Sequence, residues 1–370
     1  MKNLIVFMMA ILLFNVSYAS NFDINEFTNA LSKFDNEFIS SSDYSKIISD
    51  ISSGKFTFDY KKVFSGITKF FSKELKNNIG ILIQIIIIAI LCSFLNNLQS
   101  EFSNAGISKL SFYMCYIVII TIISGSFLQI IVEAQEAITL LIAFMNSFLP
   151  ILTGIIISTG AINTTNIIYP IIMFVTNSIS NFLNVFMVPI LMMAFVISIV
   201  ANISKNIRIS KMSKLIKNVS LWVLGIVLTL FVGVVSLEGS VASTVDGITV
   251  KTAKFMFSNG VPVVGKLLGD SIDTVIGSTL VLKDAIGFIG IVVLLTLVLM
   301  PVFKIGILLF LYNIVVALIE PFAEPKIIGS INETIDVGKI VVALLIAVSI
   351  MFLVGLVAML KISNNVAMYR

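Results

Sequence analysis

Residues 81–98 read ILIQIIIIAILCSFLNNL, without one charged side chain, and the pattern continues far beyond them. From Ile79 to Val200, 122 residues carry one basic side chain, Lys109, and three acidic ones, Glu101, Glu133 and Glu136. A charge moved into hydrocarbon is expensive, so segments that lie in a bilayer lose charges and gain Ile, Leu, Val and Phe. Mean hydropathy is +1.07, and 58% of residues are hydrophobic against 12% charged. The chain therefore reads as an all-α polytopic integral membrane protein.

The first residues form a separate element. Lys2, the apolar run Leu4–Phe14 and Ser17-Tyr18-Ala19 make the three parts of a signal peptide over 1–19. An uncleaved anchor helix is the other reading; both place Ser20 onward outside the cytoplasm. Residues 20–78 are polar enough for an extracytoplasmic region yet carry helical stripes, Phe27, Leu31, Phe34 and Phe38 among them. The last stripe, Tyr60 to Leu75, is basic and amphipathic. It either rests on anionic headgroups or packs within a small helical domain, and it leads directly into the first span.

The apolar segments are Ile79–Leu98, Leu110–Val132, Ile138–Ile157, Ile167–Val200, Leu221–Leu237, Ile286–Val302, Ile305–Ile319 and Ile340–Leu360. Lys205, Arg208, Lys211, Lys214 and Lys217 form a ladder without an acid, a cytoplasmic loop over 201–220 by the positive-inside rule. It separates an N-terminal bundle (79–200) from a C-terminal one (221–370). After the ladder, spans go out, return to Lys304, go out to Glu320 and return to a cytoplasmic tail with Lys361 and Arg370. The N-terminal half needs an odd number of crossings. Splitting the long segment into a hairpin near Asn177–Asn184 gives nine spans in all, and a re-entrant segment gives seven.

Within the spans, Asn177, Ser180, Asn181 and Asn184 share one helical face. Such a stripe must face protein or water: a wetted path, interhelical hydrogen bonding, or the turn of that hairpin. Gly225, Thr229 and Gly233 make a small-residue face for helix packing. Glu133 and Glu136, Glu320 and Glu324, and Lys304 read as boundaries where spans meet water. Cys92 and Cys115 read as small hydrophobes in apolar segments. Glu238–Ala285, rich in glycine and carrying Pro262, reads as re-entrant or membrane-resting. The chain has no histidine, and no catalytic, cofactor-binding or metal-binding constellation stands out, which argues against most enzymes. A net charge of +4 is too small and scattered for a nucleic-acid partner.

Asn259-Gly-Val-Pro-Val-Val-Gly265, Asp270-Ser-Ile-Asp-Thr-Val275 and Leu280-Val-Leu-Lys-Asp-Ala-Ile-Gly287 resemble the most recognisable block of the stage III sporulation protein AE family. Pro301-Val-Phe-Lys304, Ala317-Leu-Ile-Glu-Pro321, Leu91 to Phe102 and Asn146-Ser-Phe-Leu-Pro150 extend the likeness over nearly the whole mature chain. The resemblance implies a membrane subunit of a channel-like complex between mother cell and engulfed forespore. Its implied place is the mother-cell membrane around the forespore, and its implied role is to sustain forespore development and late sigma-factor activity. Implied partners are other stage III sporulation proteins, including a cytoplasmic ATPase and ring-forming subunits. The subunit would be a permease or a scaffold. Outside the family, the alternative is a stand-alone small-solute transporter.

Overall fold

A computed structural model describes residues 60–101, 105–203, 209–238, 246, 252 and 265–368; the expected signal peptide over 1–19, residues 20–59, Lys205 and Arg208 lie outside that set. The described chain is helical: α1 (Tyr60–Glu101), α2 (Ala105–Ser158), α3 (Ile162–Phe182), a π turn (Leu183–Met187), α4 (Val188–Ile203), α5 (Ser210–Glu238), α6 (Gly265–Ile319) and α7 (Pro325–Met368). In lipid a backbone must satisfy its own hydrogen bonds, and the helix does so within one segment.

Six rods, with α3 and α4 joined as one, are long and apolar enough to cross a membrane. That is fewer than the seven to nine spans expected from sequence, because three expected reversals are absent. The segments 110–132 and 138–157 are one 54-residue helix, α2. Between them lie Glu133, Ala134, Gln135, Glu136 and Ala137, good helix formers with no glycine or proline. Likewise 286–302 and 305–319 belong to the 55-residue α6, which runs through Pro301 and Lys304. Transmembrane helices tolerate a proline where neighbouring groups take up the freed carbonyl. At about 1.5 Å per residue, each of these helices is roughly 80 Å long, against a hydrocarbon core of about 30 Å.

The hairpin expected near Asn177–Asn184 is a π turn instead, and the chain keeps its direction. Nothing between those asparagines breaks a helix. Pro189, just beyond, has no N–H to give to the Val185 carbonyl, and a local π turn absorbs such a defect. True reversals occur elsewhere. At Thr159-Gly160-Ala161 the φ of Gly160 is 94°, a left-handed conformation that favours glycine. At Glu320–Glu324 the chain turns where sequence placed a span end, and Pro325 occupies the first position of α7, where its missing N–H costs nothing.

Rods α2 and α6 run antiparallel. Along α2, Glu133 meets Lys304 and Phe148 meets Gly290 of α6, so α2 ascends as α6 descends. α7 is the central rod, packed on α2 through α6, while α1 packs on α2 and α6. Glycines let the central helices approach. A Cβ on Gly290 would collide with the Phe148 ring, on Gly287 with the Leu360 side chain, and on Gly338 with the Leu309 side chain.

One end of the bundle gathers three connections. Ser93 Oγ donates to the Phe322 carbonyl at 2.6 Å, and Lys326 Nζ donates to the Ile203 carbonyl at 3.1 Å. The turn at Glu320 therefore lies at the same end as the lysine ladder. The alternation read from sequence, which put them on opposite sides, does not hold. The ladder is also not all loop: Lys211, Lys214 and Lys217 lie on the first turns of α5.

Candidate functional site: polar seams in an apolar bundle

A charged cleft of about 720 Å³ opens between α1, α2 and α6. Glu133 Oε2 accepts from Lys304 Nζ at 2.5 Å. Beside them Glu74 is buried, and Asn78 Nδ2 donates to its carbonyl at 2.8 Å and to its carboxylate at 3.4 Å. Lys73, Asn77 and Gln129 complete the walls. Glu133 and Lys304 are thus partners in the interior of long helices rather than two separate boundaries. The periodicity of single segments could not reveal this, since the residues come from different rods.

A second seam joins α2 to α3. Asn177 Nδ2 donates to Asn146 Oδ1 at 2.8 Å, and Asn184 Nδ2, inside the π turn, donates to Thr139 Oγ1 at 3.3 Å. Ser180 is fully buried, and its Oγ has no partner among the described residues. Asn181 faces outward. The four residues do share a face, and two of them meet α2 through hydrogen bonds.

At the ladder end, Lys217 is 8% exposed. Its Nζ lies 2.7 Å from Glu333 and 3.9 Å from Asp336 of α7. Lys211 and Lys214 remain exposed. Gly225, Thr229 and Gly233 are also exposed. A Cβ on either glycine would meet nothing within 4 Å; the expected packing on this face does not form among the described residues. Cys92 and Cys115 are free thiols in and against the core. Among the described residues, no cluster of His, Cys, Asp and Glu is placed to hold a metal.

Two groups escaped the sequence reading. Asp246, from the stretch read as re-entrant, is buried and caps α3: Asn163 N, Asn163 Nδ2 and Thr164 N donate to its carboxylate at 2.9–3.1 Å. A carboxylate there satisfies orphan N–H groups and meets the positive end of the helix dipole. No local pattern joins Asp246 to Asn163 and Thr164, 83 and 82 residues away. Lys283, fully buried, donates to the Leu360 carbonyl at 3.0 Å and lies 3.1 Å from Asp284.

Long apolar rods with polar groups drawn into interhelical seams define a polytopic all-α membrane protein. Within that class the chain belongs to the stage III sporulation protein AE family, whose model matches residues 42–363. It is 29% identical over 286 residues to stage III sporulation protein AE of Bacillus subtilis (strain 168), covering 77% of this chain and 72% of that protein. The sporulation assignment made on the Asn259–Gly287 block stands. No solved structure matches the chain.

Proposed function

We propose that this protein is a non-enzymatic membrane subunit of a complex joining mother cell and forespore. It resides in the mother-cell membrane around the forespore and sustains forespore development and late sigma-factor activity. Its partners are other stage III sporulation proteins, among them a cytoplasmic ATPase and ring-forming subunits. Family membership across residues 42–363 carries this reading. Of the two roles open to such a subunit, the geometry favours a scaffold. Asn177 and Asn184 direct amide hydrogens to Asn146 and Thr139 of α2, as an interhelical seam does. A permease keeps one observation in its favour, the outward-facing Asn181.

Deletion of the gene tests the role: forespores should be engulfed, then stay small and silent in late forespore transcription. Normal spores would overturn it. Single cysteines at Asn181 and Asn184, with Cys92 and Cys115 replaced by Ala, separate the mechanisms. Water-soluble thiol reagents should leave both positions unmodified in a scaffold and react in a permease.

A further inference from the structure

The flank of α1 and α6 carries features that neither sporulation nor scaffolding requires. On α1, Lys69, Lys73 and Lys76 fall at i, i+4 and i+7 and are all exposed. With Thr68, Ser72 and Asn77 they line a depression of about 440 Å³. Thr68 and Ser72 also border a second groove, of about 560 Å³, whose other walls are apolar: Ile67, Phe70 and Phe71 from α1, and Phe303, Ile307 and Phe310 from α6. Its floor includes Gly306, where a Cβ would meet nothing within 4 Å. The apolar run of α1 begins only three residues past Lys76, at Ile79.

A row of cations opening onto an aromatic groove, at the point where a helix turns apolar, matches an amphiphile with a negative head. Of the nearby carboxylates, Glu74 is buried toward the charged cleft and Glu133 is paired with Lys304. We infer that this flank binds one anionic phospholipid, with its phosphate at Lys69, Lys73 and Lys76 and an acyl chain in the groove over Gly306. Basic pockets beside transmembrane helices recognise anionic headgroups in this way, and the groove volume is that of a small-molecule site. The row thus grips a single lipid in a defined cleft, where a helix lying flat on the surface would meet many.

The test is retention of lipid by the full-length protein, extracted from membranes containing equal phosphatidylglycerol and phosphatidylcholine and weighed by native mass spectrometry. The wild type should retain phosphatidylglycerol preferentially, and less of it at high salt. Replacing Lys69, Lys73 and Lys76 together by Gln should lower that preference by about a hundredfold, at roughly fivefold per lysine; replacing them by Arg should keep it. Gly306→Leu should empty the groove of both lipids while leaving the lysines and the melting temperature unchanged. Equal retention of both lipids by the wild type would overturn the inference. So would undiminished retention by Gly306→Leu, the result expected if an apolar segment of the chain itself fills the groove, or displacement of the lipid by inorganic phosphate alone.

Discussion

Glu133 and Lys304, 171 residues apart in sequence, meet at 2.5 Å between α2 and α6. Their side chains keep 27% and 45% exposure, so solvent screens the pair, and neutralising either should cost no more than about 1 kcal/mol. Lys304→Glu should cost more, by setting two carboxylates face to face. Adding Glu133→Lys should recover much of the loss. Thermal unfolding of the four proteins in one detergent checks this; an additive double variant would mean that the pair does not couple.

The pair Lys217–Glu333 should behave differently. The Lys217 side chain is 10% exposed, so Glu333→Gln takes the near carboxylate from a largely buried cation and leaves it Asp336 at 3.9 Å. A loss of about 3 kcal/mol is expected, against a few tenths for exposed Lys214→Gln. Similar losses for both would contradict the burial of Lys217.

Asp246 is the anchor between the α5–α6 connection and α3. Asp246→Ala should destabilise the protein by about 1–2 kcal/mol, with Asp246→Asn losing less because an amide oxygen still caps. Melting temperatures of the two variants give the comparison, and equal losses would argue for charge alone.

Close approach at Gly290 and Gly338 leaves no room for a side chain. Gly290→Val and Gly338→Val should each cost about 1–3 kcal/mol by overpacking. Gly225→Val and Gly233→Val, on an open face, should change the isolated protein by less than about 0.5 kcal/mol. Denaturation of the purified chain distinguishes the two sets, and equal losses would refute the packing described.

What could be read without the fold follows from where each signal resides. Helical class, the turn at Glu320–Glu324 and the family block are local and were legible. The Asn177–Asn184 face was legible too, as was interhelical bonding among its possible uses; its partners Asn146 and Thr139 were not, because they lie on another helix. Span boundaries failed where a charge stood in for a turn. Glu133 and Lys304 look like membrane edges one at a time; in the fold they are one ion pair between two unbroken helices. Small residues misled for a related reason: spacing by four marks Gly225 and Gly233, while the glycines that admit a neighbour, Gly287, Gly290 and Gly338, are identified only by what faces them.

Six rods are long and apolar enough to cross a membrane, and a single crossing by each gives a topology opposite to the one read from sequence. The lysine ladder and the Glu320 turn belong to one side, and the end of α7 to the other. Single cysteines at Lys211, Glu320 and Lys361, all exposed positions, can be labelled in sealed vesicles of known orientation with a reagent that does not cross the membrane. Lys211→Cys and Glu320→Cys should react from the same side and Lys361→Cys from the opposite one. Labelling of Lys361→Cys from the Lys211 side, or of Glu320→Cys from the other, would contradict it.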